Sequence, residues 1–126
     1  MKAMPDFDLP NLAQAVEGLA PGEIDELPYG AIRLDARESV VLYNKTEARL
    51  SGYNGRTARG HLFFADVAPC MNNGFFKGRI DKARRDGTLD ISFSFIGDFC
   101  DANRELEVRV QSSSDGGYWI FNRRSP

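Results

Sequence analysis

Toward its C-terminal end the chain twice alternates apolar and polar side chains with a period of two. Leu89, Ile91, Phe93 and Phe95 interleave with Asp90, Ser92 and Ser94, and Leu106, Val108 and Val110 interleave with Glu105, Glu107 and Arg109. A third apolar segment, residues 118–121, follows a polar hairpin tip at 112–117. A period of two sends successive side chains to opposite faces, so each strand has one buried and one wet face, which is the pattern of an antiparallel sheet. Two shorter strand signals, residues 31–35 and 39–43, flank the polar turn Asp35-Ala36-Arg37-Glu38 and bring the sheet to five strands.

Helical signals occupy the rest. Phe76, Ile80 and Ala83 recur at i, i+4 and i+7 over residues 73–86, and Gly87 is a suitable stop. Residues 44–51 form a short helix ending at Gly52, residues 52–62 are loop-like, and the apolar run 63–69 includes a short helical turn. In the first 28 residues, Asp8 or Pro10 opens a helix with Leu12, Ala15, Val16 and Leu19 on one face. Pro21-Gly22 breaks it, residues 23–27 add one turn, and Pro28 ends that. So thin an apolar stripe needs a surface to lie on, and residues 1–28 are expected to cap the main domain. The expected architecture is α+β: a five-stranded antiparallel sheet with helices on one face and an N-terminal helical cap.

The totals narrow the function. A chain of 126 residues is expected to form one domain, 1–126. With 42% hydrophobic and 27% charged residues it reads as soluble and globular. A net charge of −2 gives no basic excess for nucleic acid, and the cluster Arg79, Lys82, Arg84 and Arg85 reads as a solvated helix face. No apolar run approaches the ~20 residues of a membrane span, and the N-terminus lacks an apolar signal core, so no membrane insertion and a cytoplasmic location are expected. Cys70 and Cys100 are then expected as free thiols. One histidine, His61, and two distant cysteines do not make a zinc set, no phosphate-cradling glycine loop is present, and no enzyme is expected.

Three residues carry unusual chemistry, each with two readings. Cys70 closes the run Phe63-Phe64-Ala65-Asp66-Val67-Ala68-Pro69-Cys70 and reads either as a small buried apolar residue or as the thiolate that attacks an activated acyl group. Glu47 reads either as the ionised, solvated N3 residue of a capping box on Asn44 or as a buried carboxyl. Tyr43 ends a strand and reads either as core or as a hydroxyl aimed into a pocket.

The chain resembles the photoactive yellow protein family of the PAS superfamily. The resemblance is carried by Leu27-Pro28-Tyr29-Gly30-Ala31-Ile32-Arg33-Leu34-Asp35, by Tyr43-Asn44 followed by Glu47, by Ser51-Gly52, by the Phe63-to-Cys70 run and by Tyr118-Trp119-Ile120-Phe121. It implies a PAS fold, with residues 29–126 as its core, and p-coumaric acid (4-hydroxycinnamic acid) held as a thioester on Cys70. Tyr43 and a protonated Glu47 match the donors to the chromophore phenolate, Ser51 matches a hydroxyl bonded to the tyrosine, and the Cys70 N–H matches the donor to the chromophore carbonyl. Ile32, Phe63, Val67, Ala68, Pro69 and Phe99 would line the pocket. Tyr53 stands where the family commonly has a shielding arginine, and the 97–103 loop carries Gly97, Cys100 and Asp101 in place of an aromatic and a methionine.

The implied activity is blue-light reception: trans–cis isomerisation, proton transfer from Glu47, and partial unfolding of the cap. The signal would pass to a downstream domain or protein, such as a histidine kinase in the same chain, with a homodimer as an open alternative. The competing reading is a PAS module that binds another ligand or dimerises without photochemistry. A haem version lacks a well-placed axial histidine, a flavin-photoadduct version lacks its Asn-Cys-Arg motif, and a thiol enzyme lacks a histidine partner for Cys70.

Overall fold

The computed structural model describes residues 4–52, 58–87, 89–98 and 101–124, with side chains for all of these except 97–98 and 101–103. Tyr53, Phe99 and Cys100, singled out above, lie outside the described residues. Two short helices, α1 (Leu12–Glu17) and α2 (Pro21–Asp25), precede strands β1 (Gly30–Leu34) and β2 (Val40–Tyr43). Helix α3 (Lys45–Ser51), a π-helical turn (Phe63–Val67), a 3-10 turn (Pro69–Met71) and α4 (Lys77–Arg85) follow. Strands β3 (Asp90–Asp98), β4 (Asp101–Ser112) and β5 (Tyr118–Arg124) close the chain. The five strands form one antiparallel sheet in the order β2-β1-β5-β4-β3, so the first and last strands meet at its centre.

Three boundaries differ from the periodicity, for local reasons. Pro21 opens α2 as well as ending what precedes it, because a missing N–H costs nothing in a first helical turn. The helix expected from residue 73 starts at Lys77, because Asn73 Oδ1 accepts from the N–H groups of Phe75 and Phe76 and holds a turn there. Residues 97–98 and 101–103, expected as loop, are strand, with Asp98 paired to Asp101.

The central strands are buried on both faces, where one wet face was expected. The inward residues of β1 and β5, including Ile32, Leu34, Tyr118 and Ile120, join Phe63, Phe64, Val67, Met71, Phe76 and Ile80 in one core. Their outward residues, Ala31, Trp119 and Phe121, pack against Phe7, Leu12, Val16, Leu19 and Leu27 in a second core. The N-terminal segment thus covers the sheet face opposite α3 and α4. Its exposed alternative would leave Trp119 and Phe121, both 0% accessible, in water.

Polar bonds fix the cap's position. Arg109 Nη1 on β4 donates to the carbonyls of Phe7 (2.8 Å) and Leu9 (2.6 Å), and Gln111 bonds both Pro10 O and Ala13 N at 2.7 Å. Tyr29 donates to Pro5 O at 2.8 Å, and the Arg123 guanidinium lies 4.3 Å over the Phe7 ring. Glu17 Oε2 accepts from Trp119 Nε1 at 2.8 Å and Ser114 N at 3.2 Å, and lies 3.7 Å from Arg33. Burial works against the Glu17 charge, but the Ser114 and Trp119 bonds and Arg33 outweigh it and hold the carboxyl below its ordinary 4.5.

A carboxyl lowered by folding contributes stability above its ordinary value and loses it as pH falls through the lowered one. Acidification through that window is therefore expected to loosen the cap. Amide exchange in α1, followed from neutral pH downward, should accelerate there in the unsubstituted chain and lose that step in Glu17→Gln. An identical acid limb in both proteins would contradict the assignment.

Candidate functional site

The site is built around α3. Asn44, at the N-cap with extended backbone (φ −73, ψ 165), accepts from Glu47 N at 2.9 Å and from Ala31 N at 3.0 Å through one side-chain oxygen. Its amide nitrogen donates to Ile24 O (2.9 Å) and Tyr29 O (3.2 Å). One fully buried side chain thus ties the end of the cap, β1 and α3 together. Gly52 ends α3 at φ 76, in the left-handed region that glycine enters without a Cβ clash.

From this frame Tyr43, at the end of β2, and Ser51, in the last turn of α3, pair through their hydroxyls at 2.8 Å. Both residues are buried. Ile32, Phe63, Val67 and Ala68 belong to the core beside them, with Tyr43 itself a member. Pro69 and Cys70 are exposed at the end of that apolar run, which overturns the buried reading of Cys70. The turn is pinned by Asn73 Nδ2, which donates to Cys70 O at 2.9 Å. His61 lies exposed in its loop, 3.8 Å from Asp66. Among the described residues no three acidic, histidine or cysteine side chains gather as metal ligands, and no helix is long and apolar enough to cross a membrane.

Glu47 departs from the solvated capping-box reading and is the buried carboxyl of the other. Its backbone N–H is capped by Asn44, but the carboxyl does not return to Asn44 N, which bonds Ala31 O. It is 0% accessible instead of solvated. Both oxygens are taken by Arg124, Nη1 to Oε1 at 2.8 Å and Nη2 to Oε2 at 2.9 Å. Asn122 Nδ2 adds a long contact of 3.5 Å.

Arg124 and Asn122 were missed because the sequence reading stopped β5 at Phe121. The signal was available: continued at a period of two, Tyr118 and Ile120 lead Asn122 and Arg124 onto the core face. Two polar residues on a buried face call for a buried partner.

Gly30, within the 27–35 motif, decides whether Glu47 fits. A Cβ built there would lie 1.9 Å from Glu47 Oε1 and 2.9 Å from Cδ. Gly30→Ala is expected to push the carboxyl off Arg124 and destabilise the fold by about 1–3 kcal/mol. Urea unfolding measures this, and an unchanged midpoint would contradict the close approach.

A photoactive yellow protein from Rhodothalassium salexigens is 30% identical over 119 residues, covering 94% of this chain and 95% of its own. The chain belongs to the photoactive yellow protein family. The photoactive yellow protein domain of the sensor histidine kinase Ppr from Rhodospirillum centenum superposes with a TM-score of 0.80 at 39% identity, covering 88% of this chain and 98% of that one. A PAS domain from Colwellia psychrerythraea, 14% identical, superposes with a TM-score of 0.61 over 82% of this chain and 92% of its own, and shares the fold alone. No family model matches the chain. The PAS fold expected from the resemblance is therefore the fold of this member of a photoreceptor family.

Proposed function

We infer that the protein is a blue-light photoreceptor carrying p-coumaric acid as a thioester on Cys70. The observation that carries this reading is the arrangement of an exposed cysteine at the end of an apolar run whose core neighbours include a buried hydroxyl pair, Tyr43 and Ser51, in a chain of this family. Exposure lets the Cys70 thiolate reach an activated p-coumaroyl donor. The S–C(acyl) bond forms, the bond to the leaving group breaks, and the thiol proton ends on the leaving group or solvent.

The donor set suits a phenolic group. Tyr43 offers one hydroxyl, held by Ser51 at 2.8 Å, and Ile32, Phe63, Val67 and Ala68 supply apolar contact. Pro69, exposed here, would border the entrance, and Tyr53 and Phe99 complete the expected set from the sequence. When bound, the group supplies visible absorption, an isomerisable double bond and a phenolate that accepts a proton.

The chain's part is to hold and move that proton. Glu47 donates to a phenolate only while protonated, and losing the proton leaves a carboxylate in a fully buried position. A buried charge costs several kcal/mol unless it is paired, so the new carboxylate must re-form its fork with Arg124, in a domain held by about 5–15 kcal/mol in all. The element expected to loosen is the cap, residues 1–28, because short helices held by side-chain bonds are a low-stability unit. No substrate is turned over. The change in order would be read by a downstream domain, for which a histidine kinase is the leading candidate given the Rhodospirillum centenum relative.

The test is reconstitution: the full chain mixed with an activated p-coumaroyl ester. A yellow protein heavier by one p-coumaroyl group is expected, and a colourless chain of unchanged mass overturns the reading.

A further inference from the structure

We propose that Arg124 is the counter-cation of Glu47, a positioning residue that holds the side chain as a carboxylate until a competing anion draws the proton back to it. The inference deepens the reading above and rests on it for its photochemical consequence only. The pair is bidentate, at 2.8 and 2.9 Å, with side-chain exposures of 1% for Arg124 and 0% for Glu47. A planar guanidinium matched to both oxygens is the geometry in which a buried carboxylate keeps its charge. The groups facing Glu47 from other elements are Gly30 on β1 and Asn122 and Arg124 on β5, with Asn44 below it at the helix cap. Arg124 is the charged side chain bonded to Glu47 among the described residues.

Asn122 adds a second sign of a site with two states. Its Oδ1 is buried without a hydrogen-bond partner among the described residues, while its Nδ2 makes only the 3.5 Å contact to Glu47. Nδ2 is the amide atom that faces Glu47, so a half-turn of the amide brings Oδ1 to that side, where it gains a donor once the carboxyl carries a proton.

Arg124 therefore acts in opposite directions in two states. It opposes the protonated Glu47 that can donate to a phenolate, and it stabilises the ionised Glu47 left after proton loss. Removing it should favour the protonated form in the resting chain and shorten the life of the bleached state.

The test uses infrared spectra of the full chain as expressed, before any chromophore is added, with the acid carbonyl stretch assigned by its loss in Glu47→Gln. The unsubstituted chain at neutral pH is expected to show no Glu47 acid band, and Arg124→Met is expected to gain one. Arg124→Met should also lower Tm by more than about 10 °C, with the Glu47→Gln/Arg124→Met pair regaining most of it. After loading, Arg124→Met should recover from bleaching at least about tenfold faster, since about 1.4 kcal/mol of lost stabilisation is tenfold.

An acid band from Glu47 in the unsubstituted chain, or its absence in both chains, overturns the proposal. Should Arg124→Met fail to fold, the comparison of the unsubstituted chain with Glu47→Gln still decides the charge state. Arg124→Lys, which keeps the charge and loses the fork, should then show no acid band and an intermediate Tm. Failure of chromophore loading would overturn the photoreceptor reading and leave this spectral test intact.

Discussion

Cys70→Ala is expected to abolish covalent loading outright. After incubation with an activated p-coumaroyl ester the intact mass should equal that of the untreated chain, and no visible band should develop. The loss is chemical and not structural. Residue 70 is exposed, its carbonyl still accepts from Asn73 after the substitution, and a change at such a position moves stability by about 0.5 kcal/mol or less. The folded variant can thus be compared directly with the parent by circular dichroism and unfolding midpoint. Cys100 is the only other thiol in the chain, and Cys100→Ala should load and colour normally. An adduct that persists in Cys70→Ala and vanishes in Cys100→Ala would place the attachment at the wrong sulfur and sink the assignment.

Trp119→Ala should produce the largest loss of stability among single substitutions on the cap side of the sheet. The ring is fully buried, stacks on Phe121 with centroids 5.6 Å apart and planes 5° apart, and carries the Arg33 guanidinium 5.3 Å from its centroid. Its Nε1–H is also the 2.8 Å donor to Glu17. Truncation removes the largest buried side chain and a bond to the cap at once, for a cost of about 3–5 kcal/mol.

The effect should also be directional. Amide exchange in α1 should rise more than exchange in β3, because Trp119 belongs to the core shared with the cap. Val108→Ala, on the inner core, serves as the control that lowers stability without singling out α1. Equal acceleration everywhere in Trp119→Ala would show that the cap and the sheet melt as one unit.

Several features were legible because their causes are local. The alternation in β3 and β4 survives in the paired strands, with the register carrying Ile91 opposite Val110 and Phe93 opposite Val108. Asn44 caps α3 and Gly52 ends it, as side-chain acceptors and a left-handed glycine do wherever they occur. The Tyr43–Ser51 hydroxyl contact was legible by resemblance, and it spans only one short helix. Less was legible in β1 and β5. The unbroken apolar run 118–121 was itself the mark of a strand covered on both faces, but alternation elsewhere suggested one wet face, and the second covering layer came from the other end of the chain.

Glu47 draws the line between the two kinds of information. The sequence by itself determined that it sits at the third position of a capped helix, since Asn44 three residues earlier decides that through a bond closed within one turn. It also determined that Cys70 follows a run of core-forming residues. Only the tertiary structure decided what the Glu47 carboxyl faces. Its partner lies 77 residues away, and the two meet because β1 pairs with β5 at the centre of the sheet and because Gly30 leaves the space. Helix caps and strand periods are interactions between near neighbours, so the order of residues suffices to specify them. The charge environment of a buried carboxyl depends on strand order and register, which are properties of the folded whole.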